Sequence, residues 1–157
     1  MHRDQFLKGD RKEFHSKLTL ASAKCGAQGW VLILLDADDD CPAAKAPEIL
    51  ERALAVLPHR SLSVVLAQRE YEAWFIAAAS SINGQRGFQC AAGEAPPAPE
   101  GIRDAKGWLG ERMVGSYHER MDQPAFSARL DLALAHERSR SFRKLCREWR
   151  RQVTGLS

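Results

Sequence analysis

Apolar residues fall along this chain in two patterns. Residues 30–35 (WVLILL) and 61–68 (SLSVVLAQ) are short runs with little or no polar alternation. Such runs are buried on both faces, the pattern of strands in a parallel sheet. Between them, residues 47–57 place Ile49, Leu50, Ala53, Leu54 and Leu57 at helical spacing, and Pro58 stops the helix. Strand, helix and strand in this order predict a right-handed crossover with parallel strands. Ahead of the first strand, residues 10–25 carry Phe14, Leu18, Ala21 and Cys25 on one face, and Gly26 and Gly29 break the helix. Its thin apolar stripe suits an outer covering helix.

The rest of the chain reads as helical. Residues 69–82 (REYEAWFIAAASSI) predict a helix with Tyr71, Trp74, Phe75, Ala78 and Ile82 inward, and Asn83-Gly84 turns the chain. Residues 83–99, rich in Gly and Pro, predict a loop or mobile flap. Helices follow over residues 100–113, with Ile102, Ala105, Leu109 and Met113 inward, and over residues 123–135, with Phe126, Leu130, Ala133 and Leu134 inward. Ser141 is expected to cap a last helix that turns Phe142, Leu145, Cys146 and Trp149 inward. The expected fold is α/β, a small mostly parallel sheet covered by four or five helices, with a helical carboxyl-terminal half. It is read as one domain: a polar helical lead-in (1–29), a βαβα core (30–82), a loop (83–99) and a helical part (100–157).

Composition adds limits. With 45% apolar and 27% charged residues, a chain of 157 residues can bury a real core. No apolar run approaches the roughly 20 residues that span a bilayer, and the polar opening predicts no secretory leader. Cys25, Cys41, Cys90 and Cys146 lie far apart, without zinc-type spacing. A cytoplasmic protein with reduced thiols, away from membranes, is expected.

The candidate chemistry begins where the first strand ends, in Asp36, Asp38, Asp39 and Asp40. Ligands of open parallel sheets sit beyond the carboxyl ends of the strands. Residues two apart in extended chain point the same way, so Asp36 and Asp38 can converge. Like charges held close either raise a pKa or take up a cation, and Mg2+ or Mn2+ suits oxygen ligands. Asp39 and Asp40, just before Pro42, read as turn or cap residues. Glu70 and Glu72 either complement a helix dipole or line the same crevice. On a helix they would face opposite ways, so only one would reach a metal. Arg103, Asp104 and Lys106 read as a solvated face.

The basic end forms a second feature. Arg138, Arg140, Arg143, Lys144, Arg147, Arg150 and Arg151 fall on or just before the last helix. Arg143 and Lys144 stand in its first turn, against the dipole, so they are either tolerated or meet an anion such as phosphate. A solvated face is the default for such a run.

The stretches LILLDADDDCP, REYEAWFIAA, IRDAKGWL, MDQPAFSARLDLA and RSRSF, in this order, resemble the bacterial domain-of-unknown-function family 4276, over residues 30–149. That family is similar to the Toprim superfamily of topoisomerases, primases and nucleases. The resemblance implies Mg2+ held by an Asp-x-Asp, here Asp36 and Asp38, with Glu70 as a further ligand. It implies Glu72 and Lys106 as catalytic residues; beside such a site, the basic last helix makes Arg143, Lys144 and Arg147 the expected contacts to DNA or RNA. Toprim-like chains place a Glu after an earlier strand. Only residues 1–29 precede the Asp strand here, so the resemblance implies a member lacking its first strand-helix unit.

Two functions follow. One is a Mg2+-dependent nuclease-type protein acting on phosphodiesters, or its inactive descendant, in a bacterial defence or conflict system. The other is a non-catalytic binding or regulatory module, for instance the partner of an ATPase. A phosphotransfer domain lacks its partner motifs.

Overall fold

The computed structural model describes residues 11–26 and 28–154. The first ten residues of the expected lead-in therefore lie outside the described residues. Helix α1 (Arg11–Lys24) leads to strand β1 (Trp30–Asp36), helix α2 (Pro42–Val56) and strand β2 (Ser61–Ala67). The strands pair in parallel from Trp30↔Ser61 to Asp36↔Ala67, as the crossover predicts. They are the two strands found among the described residues.

Alternation of side chains divides the sheet between two cores. Val31, Ile33, Leu62, Val64 and Leu66 join Phe14 and Leu18 of α1 and Ile49 and Ala53 of α2. Leu32, Leu34, Val65 and Ala67 turn the other way, toward Trp74 and Phe142. This two-sided cover is why β2 is buried from Leu62 to Ala67 and is apolar there except at Ser63. In β1, Val31 and Ile33 are buried and the remaining residues half-buried.

α2 begins earlier than its apolar face suggests. Pro42 occupies its first turn, where a missing N–H costs nothing, and Pro47 lies inside it.

The stretch expected as one helix over 69–82 is a turn, then the short helix α3 (Ala73–Ala77), then a 3-10 turn at Ala79–Ile82. Arg69 has φ 62°, which no right-handed helix accommodates. Ala78, at φ −116° and ψ 33°, ends α3. All five residues of α3 are buried, because it sits between two clusters. Phe75 and Ile76 face Phe88, Leu109 and Phe126, while Trp74 faces Phe142. A helix apolar all round belongs inside a protein.

The segment expected as a flap is tied down instead. Phe88 is buried and bridges to Met113, and Asn83 Oδ1 accepts a hydrogen bond from the Cys90 N–H (2.9 Å). Beyond it, the helix expected over 100–113 shortens to α4 (Ala105–Gly110), where Asp104 Oδ1 accepts from the Gly107 N–H at 2.8 Å. The helix expected over 123–135 divides into α5 (Glu119–Ser127) and α6 (Leu132–Arg138). Asp131 starts α6 by accepting from the N–H groups of Ala133 and Leu134.

The final helix, α7 (Arg140–Thr154), packs on β2. Its cap is Ser139, not Ser141, since Ser139 Oγ accepts from the Phe142 N–H at 3.0 Å. Replacing Ser139 by Ala is expected to cost about 1–2 kcal/mol, read from urea unfolding. Phe142 is buried as expected, but Trp149 is 59% exposed and meets Trp30 edge-on, with ring centroids 5.9 Å apart. The inward place belongs to Glu148, which accepts from Ser63 Oγ (2.8 Å) and pairs with Lys144 and Arg151. The buried hydroxyl of Ser63 on β2 calls for a polar partner, so a carboxylate displaces the aromatic ring from that face.

Candidate active site

The parallel ladder continues past the ends of both strands. The Ala37 N–H donates to the Ala67 carbonyl (2.8 Å), and the Asp38 N–H to the Arg69 carbonyl (2.9 Å). Asp38 and Arg69 both adopt left-handed backbone, φ 50° and 62°. Uncommon for residues with a Cβ, this conformation turns both strand ends at one level. Because residues 68–72 form a turn and not a helix, Glu70 and Glu72 are not separated onto opposite helical faces. Both act electrostatically on Asp36 or on each other across the end of the sheet.

Asp36 Oδ1 accepts from the Tyr71 N–H at 2.7 Å. Burial pushes the Asp36 pKa up to about 6, against the pull of that N–H and of Lys106, and Glu72 and Asp38 add to the rise. Glu70 is raised for the same leading reason, burial, with Glu72 and Asp36 adding to it and Lys106 opposing.

Glu72 is 0% exposed. Its Oε1 accepts from the Tyr117 hydroxyl (2.9 Å) and Gln123 Nε2 (3.1 Å). Burial and the neighbouring Glu72 carboxylate drive the Tyr117 hydroxyl pKa upward, so Tyr117 stays a proton donor. Glu72 is therefore held beneath the site, out of solvent, by Tyr117 and Gln123. One oxygen of Glu70 and one of Glu72 are buried with no hydrogen-bond partner.

Lys106 is drawn into this cluster from α4. Burial alone would lower its pKa, but the bond to Glu119 (2.5 Å) and the charges of Glu72 and Glu70 raise it. Its solvated-face reading gives way to an ammonium held among carboxylates. Asp36, Asp38, Asp39, Glu70, Glu72 and Glu119 thus meet Arg69, Arg103 and Lys106 at one edge, and the acids outnumber the bases two to one.

Outside the buried carboxylates lies a cleft of about 140 Å³ lined by Asp38, Asp39, Arg69, Glu70 and Arg103. Arg69 and Arg103 each place Nη1 3.0 Å from Asp39 Oδ1. Arg69 and Arg103 carried no weight in the sequence as site residues. The only sequence signal was proximity, Arg69 beside Glu70 and Arg103 within the IRDAK stretch. Asp40 keeps its turn role, its N–H donating to the Ala37 carbonyl at 2.9 Å.

The family's sequence model matches residues 2–149. The chain belongs to the domain-of-unknown-function family DUF4276. In this DUF4276 chain the family match takes in the lead-in as well as the stretches that first suggested it. No curated protein and no solved structure matches the chain.

Among the described residues of the DUF4276 chain, no three His, Cys, Asp or Glu are grouped tightly enough to hold a metal ion by themselves. The donors still fit Mg2+, which dehydrates reluctantly and is commonly bound through one or two carboxylates, water and substrate phosphate. The unpartnered buried oxygen of Glu70 and the acidic excess are what such a cation would satisfy.

The basic helix of the DUF4276 chain has its anion built in. Glu100 Oε1 accepts from the Ser141 N–H (2.8 Å) and from Ser139 Oγ (2.7 Å), and Oε2 accepts from the Arg140 N–H (3.0 Å). Of the two alternatives for this helix start, tolerated charges or an anion such as phosphate, a carboxylate of the chain itself occupies the anion position. Arg143 donates to the carbonyls of His136 (2.9 Å) and Glu137 (2.7 Å) at the end of α6. Lys144 pairs with Glu148, and Arg147 is exposed. These three contacts lie away from the carboxylate cluster and do not join it. No described helix is long and apolar enough to cross a membrane.

Proposed function

We propose that the edge formed by Asp36, Asp38 and Glu70 binds Mg2+ or Mn2+ and that the chain acts on phosphodiesters of DNA or RNA, in the manner of Toprim-like proteins. One observation carries this reading: a raised Asp36 and a Glu70 with an unpartnered buried oxygen flank an open cleft in which acids outnumber bases. When bound, such a metal would supply an activated water and neutralise charge at phosphorus. The protein's own residues have separable tasks. The Tyr71 N–H orients Asp36, and Glu72 helps to keep its pKa up. Asp36 is then a group that exchanges a proton close to neutral pH. Tyr117 and Gln123 hold Glu72, and Lys106 limits the repulsion between the glutamates.

The non-catalytic module has one observation in its favour. Glu72 is sealed and Lys106 is engaged by Glu119, so neither presents a free group to the cleft. Titrating Mg2+ and Mn2+ by calorimetry into the wild-type chain and Asp36→Asn/Asp38→Asn separates the readings. The wild type should bind, and the double variant should bind at least about tenfold more weakly, as for loss of metal ligands or their supports. Equal heats from both proteins would remove the metal site and leave the binding module.

A further inference from the structure

We propose that Arg69 and Arg103 form a clamp for a phosphate group, and that Asp39 occupies this clamp until a phosphate displaces it. The proposal deepens the phosphodiester reading above, on which the choice of phosphate rests.

The two guanidiniums come from separate parts of the chain, the end of β2 and the approach to α4. They converge on a single oxygen, Asp39 Oδ1, each at 3.0 Å. One carboxylate oxygen uses little of what two guanidiniums offer, since each presents five donors in a planar fork. Arg69 is the fixed jaw. Its side chain is only 23% exposed, and its Nε is buried with no hydrogen-bond partner. A buried N–H left in that state carries a cost that a further acceptor would remove.

Arg103 is the open jaw, 73% exposed, and Asp39 itself is 74% exposed. An ion pair so exposed adds little to stability and exchanges readily with solvent ions. A phosphate brings more oxygens and more charge than a carboxylate, and accepts from forked donors in pairs. The left-handed Arg69 backbone, held by the Asp38 N–H, sets this jaw on the cleft wall beside Glu70. A phosphate seated there would lie against Asp38 and Glu70. Those carboxylates repel a bare anion, so a divalent cation should strengthen binding.

The direct test is fluorescence anisotropy of a labelled single-stranded oligonucleotide at low salt, with the full chain, with and without Mg2+. Asp39→Asn removes the internal competitor and should tighten binding, by about threefold to tenfold for loss of one opposing charge. Arg103→Gln, at an exposed position that does not endanger folding, should weaken binding about tenfold in the wild-type and Asp39→Asn backgrounds alike. Arg69→Gln should do the same, with circular dichroism confirming its fold. Inorganic phosphate as competitor distinguishes the sources. Competition at millimolar concentration assigns the clamp to a terminal or free phosphate, and resistance to it assigns the clamp to the polynucleotide backbone. Binding unchanged or weakened by Asp39→Asn, or unchanged by Arg103→Gln, overturns the clamp. If these variants behave as expected while calorimetry finds no metal, the clamp stands and the metal-dependent reading falls.

Discussion

Asp36→Asn is expected to make the protein more stable by about 2 kcal/mol at about pH 8, and to change little at about pH 4. The folded Asp36 has a pKa of about 6 against an ordinary 3.8, because burial disfavours its charge. Between those values the folded chain keeps a proton that the unfolded chain has lost. Stability from this group is therefore fully present at low pH and falls as pH rises through that window. Two pKa units correspond to roughly 3 kcal/mol, and residual solvent around a half-buried carboxylate reduces this to about 2. Asn keeps an oxygen for the Tyr71 N–H, so the substitution removes the charge and spares the bond. Urea unfolding at the two pH values reads the effect. A variant no more stable than wild type at the higher pH would show that Asp36 carries no burial penalty. A stabilising change at a site this acidic is what a strained functional position gives when its function is removed.

Glu100→Ala is expected to destabilise the protein by about 2–3 kcal/mol, the scale for removing a charged acceptor from several hydrogen bonds at a half-buried position. Glu100 gathers the Ser139 and Ser141 hydroxyls and the N–H groups of Arg140 and Ser141 at the start of α7. Ser141 Oγ also accepts from the Trp74 Nε1–H at 2.8 Å, so the cluster links α7 to the central helix α3. Burial would raise the Glu100 pKa, but the bonds from Ser141 and Ser139 outweigh it and hold it below the ordinary 4.5. The stability it provides is present above that value and is lost as pH falls through its lowered pKa, the reverse of Asp36. Glu100→Gln retains acceptor capacity and should cost less than Ala. Urea midpoints near neutral pH test the order. Equal loss in both variants would assign the effect to charge alone, and no loss would remove Glu100 as the anchor of α7.

These outcomes bear on how much of the molecule was legible in its residues. Strands β1 and β2 and their parallel pairing follow from two short, mostly apolar runs flanking a helical one. Asp36 was legible as a candidate because its carboxylate directly ends an apolar strand, where ligands of open parallel sheets sit. Glu72 was legible by position but not by role, since nothing in REYEAW reveals that Tyr117 and Gln123 close over it. The basic run was visible, yet its division into Arg143 on carbonyls, Lys144 on Glu148 and Arg147 in solvent depends on what packs beside each.

Periodicity over 69–82 misled because it reports which side chains are apolar, and a wholly buried segment is apolar at any pitch. Helix α3 could be five residues or fourteen by that measure; the turn that follows the left-handed Arg69 and the non-helical Ala78 bound it. The sequence by itself determined the local matters: the crossover unit, the acidic strand end, the helical second half and the membership in DUF4276. The tertiary structure alone decided which charges meet. Glu100 reaches α7 across 39 to 41 residues, and Asp39 reaches Arg103 across 64. Such pairs leave no periodic trace, because electrostatic partners are chosen by distance in space and burial, and neither is a property of neighbouring positions in the chain.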